Sequence, residues 1–136
     1  MNLKRLKETL IKHEGLRLKP YYCTAKKLSI GIGRNLDDVG ISKDEALYML
    51  DNDIKKAVIQ IKDKFPWFDS LSPVRQEVVV NMVINLGING FSKFKNTIHF
   101  LETSQFKQAA IEMLESLWAD QVGERAKELS KMMLEG

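Results

Sequence analysis

The sequence predicts an α+β fold that is mainly helical, with an antiparallel hairpin or small sheet in one lobe and a larger helical lobe. Two patterns predict it: strict alternation of apolar residues occurs in one short run at residues 28–33, and helical spacing dominates from about residue 42 onward. We expect a single domain over residues 1–136, with the small lobe at about 13–60. The helical lobe then takes about 61–136 together with the N-terminal helix, and a cleft lies between the lobes.

The first helix is predicted by apolar residues that recur every three or four positions, at Leu3, Leu6, Leu10 and Ile11. Charged residues cover the other side of this pattern. Gly15 ends it, because glycine commonly follows the last turn of a helix.

The alternating run at residues 28–33 predicts a strand with its apolar side chains on one face and Ser29, Gly31 and Gly33 on the other. Residues 16–22 predict its antiparallel partner. We expect the apolar face to pack against the core. The opposite face is nearly bare backbone with one hydroxyl, which would let a bulky ligand approach the main chain.

Capping signals place the remaining helices. Ser42 and Glu45 form a capping box, and Pro66 ends the helix that follows. Ser72 and Pro73 begin a central apolar helix that Gly87 closes. Three more helices are expected at about 93–101, 104–118 and 124–134. The apolar face of the helix after Ser42 is expected to be buried through Ala46, Leu47, Leu50, Ile54, Val58 and Ile61.

Aromatic residues follow the end of that helix, at Phe65, Trp67 and Phe68. They are expected to anchor the loop on the core rather than to form an exposed knob that touches a wall or a membrane. Trp118 is likewise expected in the core.

Three reactive side chains fall within one short stretch. Eight residues separate Glu14 from Cys23, and five more separate Cys23 from Ser29. Glu14 lies in the last turn of the predicted helix. An acid, a thiol and a hydroxyl at this spacing suit hydrolysis of a glycosidic bond. Taken alone, Glu14 would be a surface carboxylate and Cys23 a small buried hydrophobe.

The same stretch resembles the catalytic segment of phage-type lysozymes, glycoside hydrolase family 24. In that family a Glu is followed after eight residues by Asp or Cys, and after five more by Thr. Here Cys23 stands where the best-known members have Asp, Ser29 where Thr is usual, and Arg34 where a His is found. The matching segments are Glu14–Lys19, Tyr21, Thr24, Ser29–Gly33, Ile41–Ala46, Asn81–Val83, Gly90–Phe91, Ser116–Trp118 and Arg125–Lys127, so the resemblance spans nearly the whole chain.

This resemblance implies an endolysin that hydrolyses the β-1,4 bond between N-acetylmuramic acid and N-acetylglucosamine in peptidoglycan and so lyses the bacterial wall. It implies Glu14 as general acid, Cys23 in the Asp/Cys position and Ser29 as the residue that orients water. The role of Cys23 stays open, since it could be a thiolate, a polar spacer or a nucleophile. Two alternative functions also stay open, a lytic transglycosylase and an inactive peptidoglycan-binding module. Substrate-binding or supporting roles are expected for Arg125, which in relatives lies near the acid, and for Gly31, Leu36, Asn85 and Thr97.

Composition agrees with one compact enzyme. The chain has a mass of 15.6 kDa, 44% hydrophobic residues and a net charge of +3, so its basic character is too mild to predict nucleic-acid binding. A single cysteine excludes an internal disulfide. We expect no cofactor and no metal site, because His13 and His99 lack partners at ligand spacing. We expect a monomer that accumulates in the host cytoplasm without a signal peptide or membrane span and depends on a holin to reach the wall.

Overall fold

The computed structural model describes all 136 residues. It contains seven α-helices and one three-stranded antiparallel sheet, which confirms the predicted α+β, mainly helical class. The chain divides into two compact units, Met1–Met49 (unit 1) and Leu50–Gly136 (unit 2). No helix is both long enough and apolar enough to cross a membrane.

The elements follow the predicted order. They are α1 (Leu3–Glu14), β1 (Arg17–Tyr22), β2 (Leu28–Gly31), β3 (Arg34–Asn35), α2 (Lys43–Lys64), a short 3-10 helix (Pro66–Ser70), α3 (Pro73–Ser92), α4 (Lys95–Glu102), α5 (Phe106–Glu115), α6 (Leu117–Val122) and α7 (Glu124–Glu135).

The sheet of unit 1 is formed by the predicted hairpin and one further short strand. Helix α1 ends at Gly15, whose φ of 78° is favourable for glycine and whose N–H donates to the carbonyl of Ile11. Strand β1 then pairs with β2 in antiparallel register, and an irregularity in β1 separates the two ends of this pairing. Strand β3 pairs with the other edge of β2 through Ser29–Asn35 and Ile30–Arg34.

Burial within unit 1 differs from the expectation. Ser29 is its one buried residue, whereas Ile32, predicted on the core face, is 43% exposed. The apolar side chains of α1 are exposed as well. The prediction of a buried apolar face on β2 was therefore wrong for this structure. A unit this small buries a smaller fraction of its surface on folding than a larger one does.

Unit 2 contains the hydrophobic core, and every buried apolar side chain lies between Ala57 and Met133. Phe91 is fully buried, and its ring lies edge-on to Phe65 with centroids 5.7 Å apart. Phe65 and Phe68 are buried, as is Trp118. These residues confirm the prediction that aromatic side chains anchor the loop after α2 and that Trp118 belongs to the core.

Helix α2 buries less of its apolar face than predicted. Ile61 is fully buried, but Leu47, Leu50 and Ile54 are exposed. In unit 2, Leu50 and Ile54 line a cavity of about 700 Å³ together with residues of α3. The buried contacts of α2 are therefore concentrated in its C-terminal half, at Ala57 and Ile61.

One helix boundary agrees with the prediction and another differs. Gly87 ends the first helical segment of α3, as predicted, because its φ of 76° and ψ of 160° are not helical, and a second segment then continues to Ser92. The helix predicted over 104–118 is two helices, because Ser116 has extended backbone and its hydroxyl accepts a bond from the N–H of Ala119 at 3.2 Å. Ser116 thus caps the start of α6.

Candidate active site

Glu14 lies at the C-terminal end of α1, and its carboxylate contacts Gly33 in the turn between β2 and β3. A Cβ atom at position 33 would lie 2.6 Å from Oε2 of Glu14 and 2.9 Å from its Cδ, closer than side chains approach one another. Gly33 also has a φ of +70°, which favours glycine. The carboxylate therefore occupies space that exists because residue 33 has no side chain.

Cys23 begins the turn that joins β1 to β2. Its N–H donates to the carbonyl of Lys27 at 3.0 Å, and its own carbonyl accepts from the N–H of Lys26 at 2.8 Å. Lys26 adopts a left-handed φ of 61° to close this turn. The backbone on both sides of the half-buried thiol is thus fixed by main-chain hydrogen bonds.

The surroundings of Cys23 favour its thiolate form. The backbone of Lys27 is the largest influence that lowers the pKa of the Cys23 thiol below its ordinary value. Desolvation acts in the opposite direction, while the backbone of Ala25 and the hydroxyl of Ser29 lower the pKa further. A larger thiolate fraction near neutral pH follows.

Ser29 lies in the middle of the sheet, opposite Tyr21 of β1 and Asn35 of β3. It is 2% exposed, and its hydroxyl donates to the carbonyl of Lys27 at 3.1 Å. The expectation of a hydroxyl on an open face was wrong, because the side chain points into the one enclosed part of unit 1. The same hydroxyl also interacts with the Cys23 thiol, so its single proton is shared between the Lys27 carbonyl and the sulfur.

Strand β2 connects the two groups of site residues. The hydroxyl of Ser29 forms a hydrogen bond with the Cys23 thiol, and Gly33 contacts Glu14. Ser29 and Gly33 are four residues apart in the sequence. Four residues of extended chain span at most about 14 Å. The structure therefore brings the three residues of the predicted catalytic set around one short strand, with the acid at one end and the thiol at the other.

Arg34 forms the shortest ion pair of unit 1. Its Nη1 and Nη2 donate to Oε1 and Oε2 of Glu45 at 2.9 and 2.8 Å, and Nη1 also donates to the carbonyl of Gly40 at 3.1 Å. Glu45 in turn completes the predicted capping box with Ser42. Hydrogen bonds from Arg34, followed by those from Ser42, lower the pKa of Glu45 to about 2.

Two predicted supporting residues of unit 1 have different surroundings. Gly31, with a φ of +72°, lines an open apolar cavity of about 640 Å³ together with Leu16 and Tyr48. Leu36 donates its N–H to the carbonyl of Leu28 at 2.8 Å and thereby extends the pairing of β2 with the chain after β3. Leu36 thus contributes through its backbone to the sheet that carries Ser29.

Three predicted residues belong to unit 2. The amide oxygen of Asn85 accepts a bond from the indole Nε1 of buried Trp118 at 2.7 Å, and Asn85 itself is exposed. This bond assigns the amide nitrogen as the outward donor. Thr97 is 3% exposed and lines a cavity of about 280 Å³ whose other lining residues are mostly polar or charged and include Glu112.

Arg125, the third of these residues, is exposed on α7 and donates to Asn81 of α3. Its Nη2 lies 2.6 Å and its Nε 3.1 Å from Oδ1 of Asn81. Both residues line the cavity of about 700 Å³ that includes Leu50 and Ile54. Asn81 therefore fixes the orientation of the Arg125 guanidinium within unit 2.

Sequence reasoning did not include Gly33 or Glu45 among the site residues. Gly33 stands in the glycine-containing run that ends β2, and this run was the available signal. Glu45 was recognised for its capping box, while its partner Arg34 was noted only as a departure from the family pattern. Both contacts are made between residues distant in sequence, so spacing alone does not reveal them.

Comparison with known proteins identifies the family. The family model described as phage lysozyme matches residues 11–132. The chain is 27% identical over 150 residues to probable T4-type lysozyme 2 of Dictyostelium discoideum, covering 89% of this chain and 88% of that protein. Probable T4-type lysozyme 1 of the same organism is 26% identical over 96 residues, covering 70% of this chain and 56% of that protein.

A third relative is much longer than this chain. The pre-baseplate central spike protein Gp5 of Enterobacteria phage T4 is 25% identical over 157 residues, which cover 95% of this chain but 27% of the spike protein. The family match, which includes Glu14, Cys23, Ser29 and Arg125, agrees with the resemblance found in the sequence. This chain belongs to the phage lysozyme family.

Proposed function

We propose that this protein is a glycoside hydrolase of family 24 that cleaves the β-1,4 bond between N-acetylmuramic acid and N-acetylglucosamine in peptidoglycan. Glu14 is the general acid, and Cys23 with Ser29 supports the opposite side of the reacting sugar. Membership of the phage lysozyme family supports the proposal at the level of a muramidase-like hydrolase.

The contact between Glu14 and Gly33 is the observation that carries the proposal. A general acid must be held within hydrogen-bonding reach of the leaving oxygen, and the absent side chain at position 33 leaves main chain beside the carboxylate. In the proposed reaction Glu14 protonates the glycosidic oxygen as the bond to the anomeric carbon breaks. Positive charge then develops on the sugar ring.

Cys23 is proposed to stabilise that charge as a thiolate. The lowered pKa of its thiol, caused first by the backbone of Lys27, favours an anion in the place where a carboxylate stands in better-known relatives. Water attacks the anomeric carbon from the side of Cys23, and the Ser29 oxygen can accept a hydrogen bond from it. The water oxygen forms the new bond to carbon, and its proton leaves to solvent.

In unit 2, Asn85 and Thr97 are proposed to bind the glycan. The outward amide of Asn85 is a donor suited to sugar hydroxyl or acetamide oxygens, and its orientation is set by Trp118. Thr97 and Glu112 line a small cavity of mostly polar and charged residues, which suits a polar substituent of a sugar. Arg125, held by Asn81, is proposed to supply a positive charge for the acidic polymer.

A lytic transglycosylase is the second candidate, and one observation favours it. The hydroxyl of Ser29 already donates to the carbonyl of Lys27, and the side chain is buried, so its capacity to orient water is reduced. A transglycosylase needs one acid and no water, because the muramic sugar closes on itself. Its product carries a 1,6-anhydro end.

Purified protein acting on purified peptidoglycan, followed by mass spectrometry of the fragments, tests the function. We expect reducing muramic ends, whereas 1,6-anhydro ends would establish the transglycosylase reaction instead. Binding to peptidoglycan without any cleavage would identify an inactive binding module. The variant Glu14→Gln should lose at least about 10²-fold in rate, since it keeps the shape of the side chain but cannot transfer a proton. Glu8→Gln on the same helix is the matched control and should retain the unmodified rate.

Two variants test the role of Cys23. Cys23→Asp should remain active, because a carboxylate is ionised at lower pH than a thiol. Cys23→Ala should be clearly impaired. An inactive Cys23→Asp variant together with a glycosyl thioether trapped on the unmodified enzyme would mean that the sulfur is a nucleophile. Full activity of Cys23→Ala would remove Cys23 from the reaction.

A further inference from the structure

The turn that holds Glu14 is followed immediately by Arg34. Gly33 contacts the carboxylate, and the next residue begins β3. Strand β3 has two residues and pairs with β2 through Ile30–Arg34 and Ser29–Asn35. So short a strand has few backbone hydrogen bonds with which to fix the turn. The side chain of Arg34 provides an additional attachment, to α2.

This attachment is bidentate and is made to a fixed part of α2. Both terminal nitrogens of Arg34 donate to the two oxygens of Glu45, and Nη1 also donates to the carbonyl of Gly40. Glu45 is itself immobilised, since its Oε1 accepts from the N–H of Ser42 at 2.9 Å and its N–H donates to the Ser42 hydroxyl at 3.1 Å. Paired planar groups restrict orientation as well as distance.

We propose that Arg34 is a positioning residue for the general acid, which acts by holding the β2–β3 turn against Glu14 through its pair with Glu45. The inference rests on the proposed function, because it matters only if Glu14 transfers the proton. Loss of the pair frees the turn to shift, and the Glu14 carboxylate moves with it. A misplacement of about 1 Å at a reacting group can cost up to about 10²-fold in rate.

Geometry distinguishes this pair from the other ion pairs of the chain. Three further pairs join a lysine to a carboxylate, at 3.3, 3.4 and 3.0 Å, and each has a single recorded contact. Lys127–Glu124 lies on the exposed surface of α7 in unit 2, with side chains 69% and 88% exposed. It is the matched control, since an exposed ion pair of this kind contributes little.

The test measures kcat and KM on purified peptidoglycan for Arg34→Ala, Arg34→Lys, Glu45→Gln and the control Lys127→Gln. We expect kcat to fall about tenfold for Arg34→Ala with KM within about twofold, because the acid and not the substrate is misplaced. Arg34→Lys should be intermediate, since an ammonium keeps the charge but loses the bidentate geometry. Glu45→Gln should follow Arg34→Ala, and Lys127→Gln should match the unmodified enzyme.

A merely structural role is separated by repeating Arg34→Ala in the Glu14→Gln background. In that background residue 14 cannot transfer a proton, so the position of its side chain no longer matters. The double variant should therefore cleave peptidoglycan within about twofold of the rate of Glu14→Gln alone. A further tenfold fall would show general damage to unit 1 and overturn the proposal, as would an unchanged kcat for Arg34→Ala. If Arg34→Ala does not fold by circular dichroism, Glu45→Gln decides the matter by the same criteria. Full activity of Glu14→Gln would instead overturn the proposed function itself.

Discussion

The two units of this protein differ sharply in what they bury. Unit 2 encloses all the buried apolar side chains, with Phe91, Met113 and Met133 fully hidden. Unit 1 buries one residue, Ser29, and fixes its loops with polar contacts such as the Arg34–Glu45 pair. The acid and the thiol of the candidate site both belong to unit 1.

This difference indicates a division between stability and chemistry. Hydrophobic burial is the main favourable term in folding, so unit 2 should contribute most of the free energy of unfolding. Hydrogen bonds and ion pairs are weaker but directional, so they suit unit 1, where a carboxylate and a thiol must be held in defined orientations. Changes in the two units should therefore have different consequences.

The largest effect is expected from the core of unit 2. Phe91→Ala should lower the free energy of unfolding by about 3–5 kcal/mol, because it removes a fully buried ring and leaves a cavity. Ile32→Ala in unit 1 should cost less than about 1 kcal/mol, since that side chain is 43% exposed. Urea denaturation followed by circular dichroism measures both. Equal losses would show that unit 1 shares the core-based stability of unit 2.

The next effect concerns activity. Gly33→Ala should lower the rate of peptidoglycan cleavage by about 10–10²-fold, because a Cβ would lie 2.6 Å from the Glu14 carboxylate and displace it. The control is Gly87→Ala in unit 2, at a glycine that also has positive φ but has no neighbour within 4 Å of the added atom. Both variants carry the backbone strain, and only the first has the clash. Equal activity of Gly33→Ala and the control variant would show that the contact between Gly33 and Glu14 does not matter for catalysis.

Acid should weaken the attachment of β3 to α2. The pKa of Glu45 is about 2 in the folded protein, lowered first by Arg34, against 4.5 for the ordinary group. A lowered pKa means that the pair stabilises the fold fully above about pH 4.5, and that this stability is lost as the pH falls from 4.5 toward 2. The difference in Tm between the unmodified protein and Glu45→Gln should accordingly narrow over that interval. A Tm difference that does not change with pH would contradict this account. Added salt should also reduce the Tm difference, because the ion pair is partly exposed to solvent.

The smallest effect is a shift in thiol reactivity. The rate of alkylation of Cys23 by iodoacetamide should reach its midpoint at a lower pH than for a free cysteine, because the backbone of Lys27 favours the thiolate. Ser29→Ala should move the midpoint upward, since the hydroxyl also lowers the thiol pKa. Thr24→Ala, in the same turn, is the control. If Ser29→Ala leaves the midpoint unchanged, the Ser29 hydroxyl does not influence the pKa of the Cys23 thiol.

Local signals in the sequence were sufficient for most of the fold. Gly15 correctly predicted the end of α1, the alternation after residue 27 predicted β2, and the Ser42–Glu45 box predicted the start of α2. Each signal depends on residues a few positions apart, whose mutual geometry the backbone fixes. The break at Ser116 was missed because apolar spacing continues through it, although the serine was itself a possible cap.

The unpredicted features depend on which surfaces become enclosed and on contacts distant in sequence. Alternation separates the two faces of β2 but does not state which face is covered, and the structure buries Ser29 while Ile32 remains exposed. The contact of Glu14 with Gly33 requires the end of a helix and a turn after the next two strands to meet. The roles assigned to Glu14, Cys23 and Ser29 stay predictions until the variants are measured.

The hydrogen bond between Trp118 and Asn85 makes this protein suited to optical binding measurements without an attached label. The indole is 3% exposed, and its Nε1 donates to an amide that faces outward. Indole fluorescence responds to the electric field and hydrogen bonding around the ring, so a sugar that engages the Asn85 amide would change the emission of Trp118. The other tryptophan, Trp67, is partly buried beside Phe65, with ring centroids 5.1 Å apart, and provides a background signal. A titration with soluble glycan fragments would then follow occupancy of unit 2 separately from cleavage.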